Sequence, residues 1–126
     1  MKKVIGLILL VCLTACQSGL SAVEVVYSKV DDSVKELSHQ KDENEFVHVF
    51  NRDGRAEYIL IFSEREVELK LEQKGDTLTF LIEEGATRAS NQTEPTFFKV
   101  HSPEEYDIIV MKRNAKEIGI NSVNGY

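Results

Sequence analysis

Hydrophobic residues follow three rhythms along this chain, and each predicts a different kind of element. Val4 to Leu13 run on without a charge, Leu20 to Leu37 recur every three or four positions, and from Phe46 onward apolar residues come in short blocks or in strict alternation. Phe46-Val47-His48-Val49-Phe50 and Tyr58-Ile59-Leu60-Ile61-Phe62 flank Asn51-Arg52-Asp53-Gly54-Arg55. Asp-Gly between two apolar runs predicts a hairpin, because Gly accepts the positive φ that such turns require. Nearly every position of both runs is apolar, so this hairpin is expected to be covered on both faces.

A second hairpin follows. Val67, Leu69 and Leu71 alternate with Glu66, Glu68, Lys70 and Glu72, and Leu78, Phe80 and Ile82 continue the alternation past Lys74-Gly75-Asp76. One face is wet and charged. A loop centred on Lys74-Gly75 or on Gly75-Asp76 keeps the apolar faces together, so the register stays open. Gly85 to Thr96 reads as a polar loop, and its Asn91-Gln92-Thr93 carries little weight as a glycosylation acceptor. Phe97-Phe98-Lys99-Val100 is a strand, and Ser102-Pro103-Glu104-Glu105 has the cap, N1 proline and acidic first turn of a one-turn helix. Asp107 to Met111 is a strand again, with Glu117 to Val123 pairing back on it.

Leu20, Val23, Tyr27, Val30, Val34 and Leu37 fit one helical face, but Ala22 to Tyr27 is rich in β-branched residues that suit strands. The reading is a helix over roughly Asp31 to Gln40, with residues 22–29 open between helix and strand. The fold class is mainly β, with α+β as the alternative. An antiparallel sheet of about six or seven strands forms a small sandwich or open barrel, with a short N-terminal helix. The domains are a leader over 1–15, a modified cysteine and tether over 16–22, and a single strand-rich domain over 23–126.

Composition narrows the functions. The 126 residues are 42% hydrophobic and 29% charged, which suits one globular domain. Loss of Lys2 and Lys3 with a leader would take the formal net charge from -6 to -8. Such a surface is expected to repel nucleic acid and anionic lipid headgroups alike, because phosphate attraction needs clustered Lys and Arg, so nucleic acid is not expected as a partner. Cys12 and Cys16 are the two cysteines, so residues 17–126 have neither an internal disulfide nor a thiolate metal site.

The leader carries the most specific signal. Lys2-Lys3, the uncharged run and Leu13-Thr14-Ala15-Cys16 come in the order of an export signal, and the run is too short for the ~20 residues of a spanning helix. Leu13-Thr14-Ala15-Cys16 resembles a lipobox, the cleavage signal of bacterial lipoproteins. The resemblance covers the leader alone. It implies cleavage between Ala15 and Cys16, diacylglycerol on the Cys16 sulfur, and a further acyl chain such as palmitate on the new amino group. The membrane is then a partner through Cys16. The domain is expected on the extracytoplasmic face of the cell membrane, or at the outer membrane of a two-membraned cell, because Gln17 and not Asp follows the cysteine. Gln17 to Ser21 reads as a short flexible tether.

Candidate chemistry is sparse. His48 shares a strand pattern with Phe46 and Phe50 and reads as a core or edge histidine, and His39 reads as solvated. His101 and Ser102, with Glu104 and Glu105 nearby, are the one place for a hydrolase, but adjacency supplies no base, orienting acid or oxyanion donors. Glu83-Glu84 with Glu104-Glu105 is a candidate carboxylate pair of the glycosidase kind. Glu43-Asn44-Glu45 and Glu64-Arg65-Glu66 read as wet faces with a weak claim on a divalent ion. No catalytic set, cofactor or metal site is assigned. The expected function is a non-enzymatic binding module for a protein partner, inhibitor-like if that partner is basic. The alternatives are an accessory subunit of an envelope assembly and, last, an enzyme.

Overall fold

A computed structural model describes residues 19–126; the expected leader, Cys12, Cys16 and the start of the tether lie outside them. The described chain forms β1 (Ser21–Val25), a 3-10 turn (Tyr27–Lys29), α1 (Asp32–Ser38), β2 (Val47–Arg52), β3 (Arg55–Ser63), β4 (Arg65–Lys74), β5 (Thr77–Thr87), β6 (Glu94–His101), β7 (Ile108–Arg113), β8 (Lys116–Ile118) and β9 (Ser122–Gly125). A five-stranded sheet runs in the order β1-β6-β3-β2-β9 and a four-stranded sheet in the order β4-β5-β7-β8. The architecture is mainly β, two sheets that do not close into a barrel, with a single α-helix among the described residues.

Alternation decides what each side chain meets. In β2 and β3, Val47, Val49, Ile59 and Ile61 face the second sheet and join Leu78, Phe80, Ile82 and Met111 in the inter-sheet core. Phe50, Tyr58 and Leu60 point the other way, under Val30 and Val34 of the helical segment. The first hairpin is thus covered on both faces, which explains its unbroken apolar runs. Phe80 and Leu78 are completely buried; a side chain of this size contributes roughly 1.5–3 kcal/mol by leaving water. α1 begins where Asp31 accepts a hydrogen bond from the Ser33 backbone N–H, satisfying a donor the first turn leaves free.

The first hairpin turns where expected, and the second takes one of the two loops left open. Asp53 and Gly54 have φ of 54° and 78°, the paired positive values of a type I′ turn. In the second, Lys74 pairs with Thr77, so the loop is Gly75-Asp76, with φ of 56° at Gly75.

Several details depart from the expectation. The polar loop expected over Gly85 to Thr96 shrinks to residues 88–93, because β5 runs to Thr87 and β6 begins at Glu94. Residues 21–25 are strand, beginning inside the segment expected to be tether, because Ser21 to Val25 pair with β6. The Ser102 to Glu105 segment is not a helix: the chain must leave β6 in one sheet for β7 in the other, and the buried Ser102 hydroxyl donates to the Glu104 carbonyl at 3.2 Å instead of capping. Residues 117–123 divide between the sheets. Lys116 to Ile118 pair back on β7, whereas Ser122 to Gly125 run parallel to β2, steered there by Asn121, which accepts from the Val47 backbone N–H through Oδ1 at 2.9 Å. β5 and β7 are also parallel, so both sheets are mixed.

The sandwich has two distinct ends. Gly19, the Asp53-Gly54 and Gly75-Asp76 turns and residues 102–107 lie at the tether end; Glu64, residues 88–93 and the Asn114-Ala115 turn lie at the other.

Candidate functional site: an acidic cleft between two edge strands

β1 ends one sheet and β4 ends the other, and the two approach each other along one side of the sandwich. Ala22 packs on the inter-sheet core, so alternation turns Glu24 inward as well. Between these edges lies a cleft of about 510 Å³ with Glu24, Glu66, Glu68, Glu83, Glu84 and Arg88 in its lining. Arg88 is its one cation and is already engaged: Nε donates to the Ser63 carbonyl at 3.0 Å and Nη2 to Thr96 Oγ1 at 2.8 Å. Glu24, Glu66, Glu68 and Glu83 have no ion-pair partner among the described residues. The cleft therefore presents uncompensated negative charge.

Glu84 differs from the other four. The alternation Leu78, Phe80, Ile82 carries one step further and turns Glu84 inward, where its side chain is 7% exposed. Ile109 and Met111 similarly lead to an inward Arg113. The Ser63 hydroxyl donates to Glu84 Oε2 at 2.6 Å, Arg113 donates from Nε at 2.8 Å and Nη2 at 3.0 Å, and Asn114 Nδ2 donates at 3.1 Å. The Arg113 guanidinium lies 3.7 Å from the centre of the Phe46 ring, a cation–π contact. Burial pushes the Glu84 carboxyl up, but the bonds from Arg113, Ser63 and Asn114 and the Arg113 charge outweigh it and hold the carboxyl below its ordinary value. The hub ties β3, β5 and β7 together, and its Glu84 lines the cleft.

The other candidates separate in space. Glu84 sits beside Arg113 and Asn114, whereas Gln73 at the far end of β4 donates to the Glu105 carbonyl at 3.0 Å. The two glutamate pairs lie at opposite ends of β5, on the order of 20 Å apart, too far for paired-carboxylate chemistry. Ser102 is buried and its hydroxyl turns to Glu104 and to Gln73 Oε1; His101 is exposed and is not its partner. That pair lacks the nucleophile–base contact. No three His, Cys, Asp or Glu side chains converge to hold a metal ion among the described residues.

His48 is fully buried, with Phe50 but without Phe46, which packs on the inter-sheet side. Its Nδ1 lies 2.6 Å from Ser122 Oγ, while the buried Nε2 has no hydrogen-bond partner and stands 3.6 Å from Glu45. Burial lowers the His48 pKa, with the Glu45 charge opposing and Lys41 assisting. Exposed His39 is held at 2.5 Å from the Tyr27 hydroxyl through Nε2.

Compared with protein-family models, with curated proteins and with solved structures, the chain finds no match. Among the described residues no helix is long and apolar enough to cross a membrane.

Proposed function

We propose that this chain is a lipid-anchored extracytoplasmic interaction module, held at the membrane by Cys16, whose acidic cleft receives a cationic protein partner. The observation that supports it is the set of four unpaired glutamates between two edge strands, around an arginine already committed internally. Complementary charge speeds encounter and excludes anionic partners. Edge strands also leave main-chain groups open to an added strand.

The test is in-cell crosslinking with affinity recovery, comparing wild type with a Glu66→Lys/Glu68→Lys form. A discrete basic partner, crosslinked near β1 and β4 and lost from the double variant, is the expected result. A partner recovered equally by both forms removes the cleft from the reading. Separately, Cys16→Ser is expected to leave an uncut, lipid-free precursor; a fully processed product refutes the anchor.

A further inference from the structure

Gly19 is the first described residue, and it lies against residues 101–103. A Cβ there would stand 3.4 Å from Pro103 Cγ and 3.9 Å from His101 Cδ2. Two residues, Gln17 and Ser18, separate Gly19 from Cys16, so whatever path they take, the Cys16 Cα is within roughly 11 Å of Gly19 at this end of the sandwich. Ser21 then pairs with His101 and Val23 with Lys99, which places Val23 and Lys99 side by side on the outer face of the larger sheet.

That face is unusual for this protein. Val23 and Tyr27 are 57% and 46% exposed, two of the five exposed large hydrophobic residues among those described. Lys99 and Arg52 beside them have half-exposed side chains. Contrary to the repulsion expected from the net charge, cations do gather locally here: Arg52, Arg55, Lys99 and His101 line a recess of about 360 Å³, opposed there by Asp53 and Glu57. Glu57 is shared by Arg52 at 4.0 Å and Lys99 at 3.6 Å, so it offsets one of the two. Asp76, Glu104, Glu105 and Asp107 occupy the other side of the tether end. An anionic surface would repel them and tilt the domain toward Arg52 and Lys99.

We propose that the face bearing Val23, Lys99 and Arg52 docks on the bilayer, its cations meeting the phosphates of anionic lipid headgroups and its exposed Val and Tyr side chains entering the interface. The inference rests on the lipid anchor at Cys16. Exposed apolar residues interleaved with cations suit a membrane surface. Glu24 points to the opposite side of β1, so docking leaves the acidic cleft facing away from the lipid.

The test uses the lipidated chain purified from membranes, with the Cys16 adduct checked by intact mass. It is reconstituted into phosphatidylcholine vesicles and into an equal mixture with phosphatidylglycerol, and hydrogen exchange is followed by peptide. In the anionic vesicles, residues 21–27, 51–56 and 97–103 are expected to exchange more slowly by roughly fivefold, the factor one cation near such a surface supplies. Residues 88–93 stay unchanged. Arg52→Glu with Lys99→Glu abolishes the difference; Val23→Ser, which leaves every charge in place, reduces it. Equal exchange in both vesicle types, or protection that survives charge reversal, overturns the docking face with the anchor intact. A mass without lipid on Cys16 overturns the anchor and this orientation with it.

Discussion

Replacing Glu84 with Gln is expected to destabilise the fold by about 2 kcal/mol at neutral pH. Severing a fully buried ion pair costs about 3–5 kcal/mol, whereas an exposed pair contributes about 1 kcal/mol or less. Glu84 is 7% exposed and Arg113 41%, which places this pair between those limits. Gln keeps an oxygen for Ser63 or Asn114 but turns an NH2 toward the Arg113 donors. Because the folded-state carboxyl lies below its ordinary value, its contribution is present above the unfolded pKa of about 4.3 and lost as pH falls through the folded value. Wild type and Glu84→Gln should therefore converge in acid. Urea unfolding at about pH 7 and pH 3 measures both gaps, and about 2 kcal/mol corresponds to a Tm roughly 8 °C lower. A neutral-pH gap under about 0.5 kcal/mol, or an equal gap in acid, would refute the hub.

Two further measurements probe the scaffold. Asn114 and Ala115 turn β7 into β8 with φ of 51° and 72°, so Ala115→Gly should relieve left-handed strain and raise stability by about 0.5–1 kcal/mol in the same assay; a lower urea midpoint contradicts this. His48 is buried with its pKa below 6.5, so the unfolded chain takes up the proton first. Stability from this site is complete above about pH 6.5 and declines as pH falls toward the folded value; His48→Gln should flatten that decline, and an unchanged pH profile would contradict it.

Both central hairpins were legible, the first because Asp53-Gly54 sits between two unbroken apolar runs, the second because strict alternation continues on both sides of Lys74-Gly75-Asp76. The Asn114-Ala115 turn was not, since it uses positive φ without a glycine. β1 and β9 were equally hard to place, because short segments carry little pattern and their partners lie far along the chain. Glu84 and Arg113 could have been found by extending the alternation of β5 and β7 one step past the last apolar residue. Nothing in the spacing reveals that Glu24 lines the same cleft as Glu84, since that closeness depends on how the two sheets stack. The pairing of Glu83-Glu84 with Glu104-Glu105 failed for the converse reason: β5 is long enough to carry one pair to the end opposite the other.

The parallel pairing of β2 with β9 has a kinetic consequence. Val47 waits for Asn121, 74 residues further on, and β1 waits similarly for β6, so the larger sheet cannot be completed from local contacts. Topologies of this kind fold in milliseconds to seconds, not microseconds. If the chain crosses a membrane before folding, this delay works in its favour: the early segments lack the partners that would lock them prematurely, and the sandwich closes only once its distant halves are on the same side.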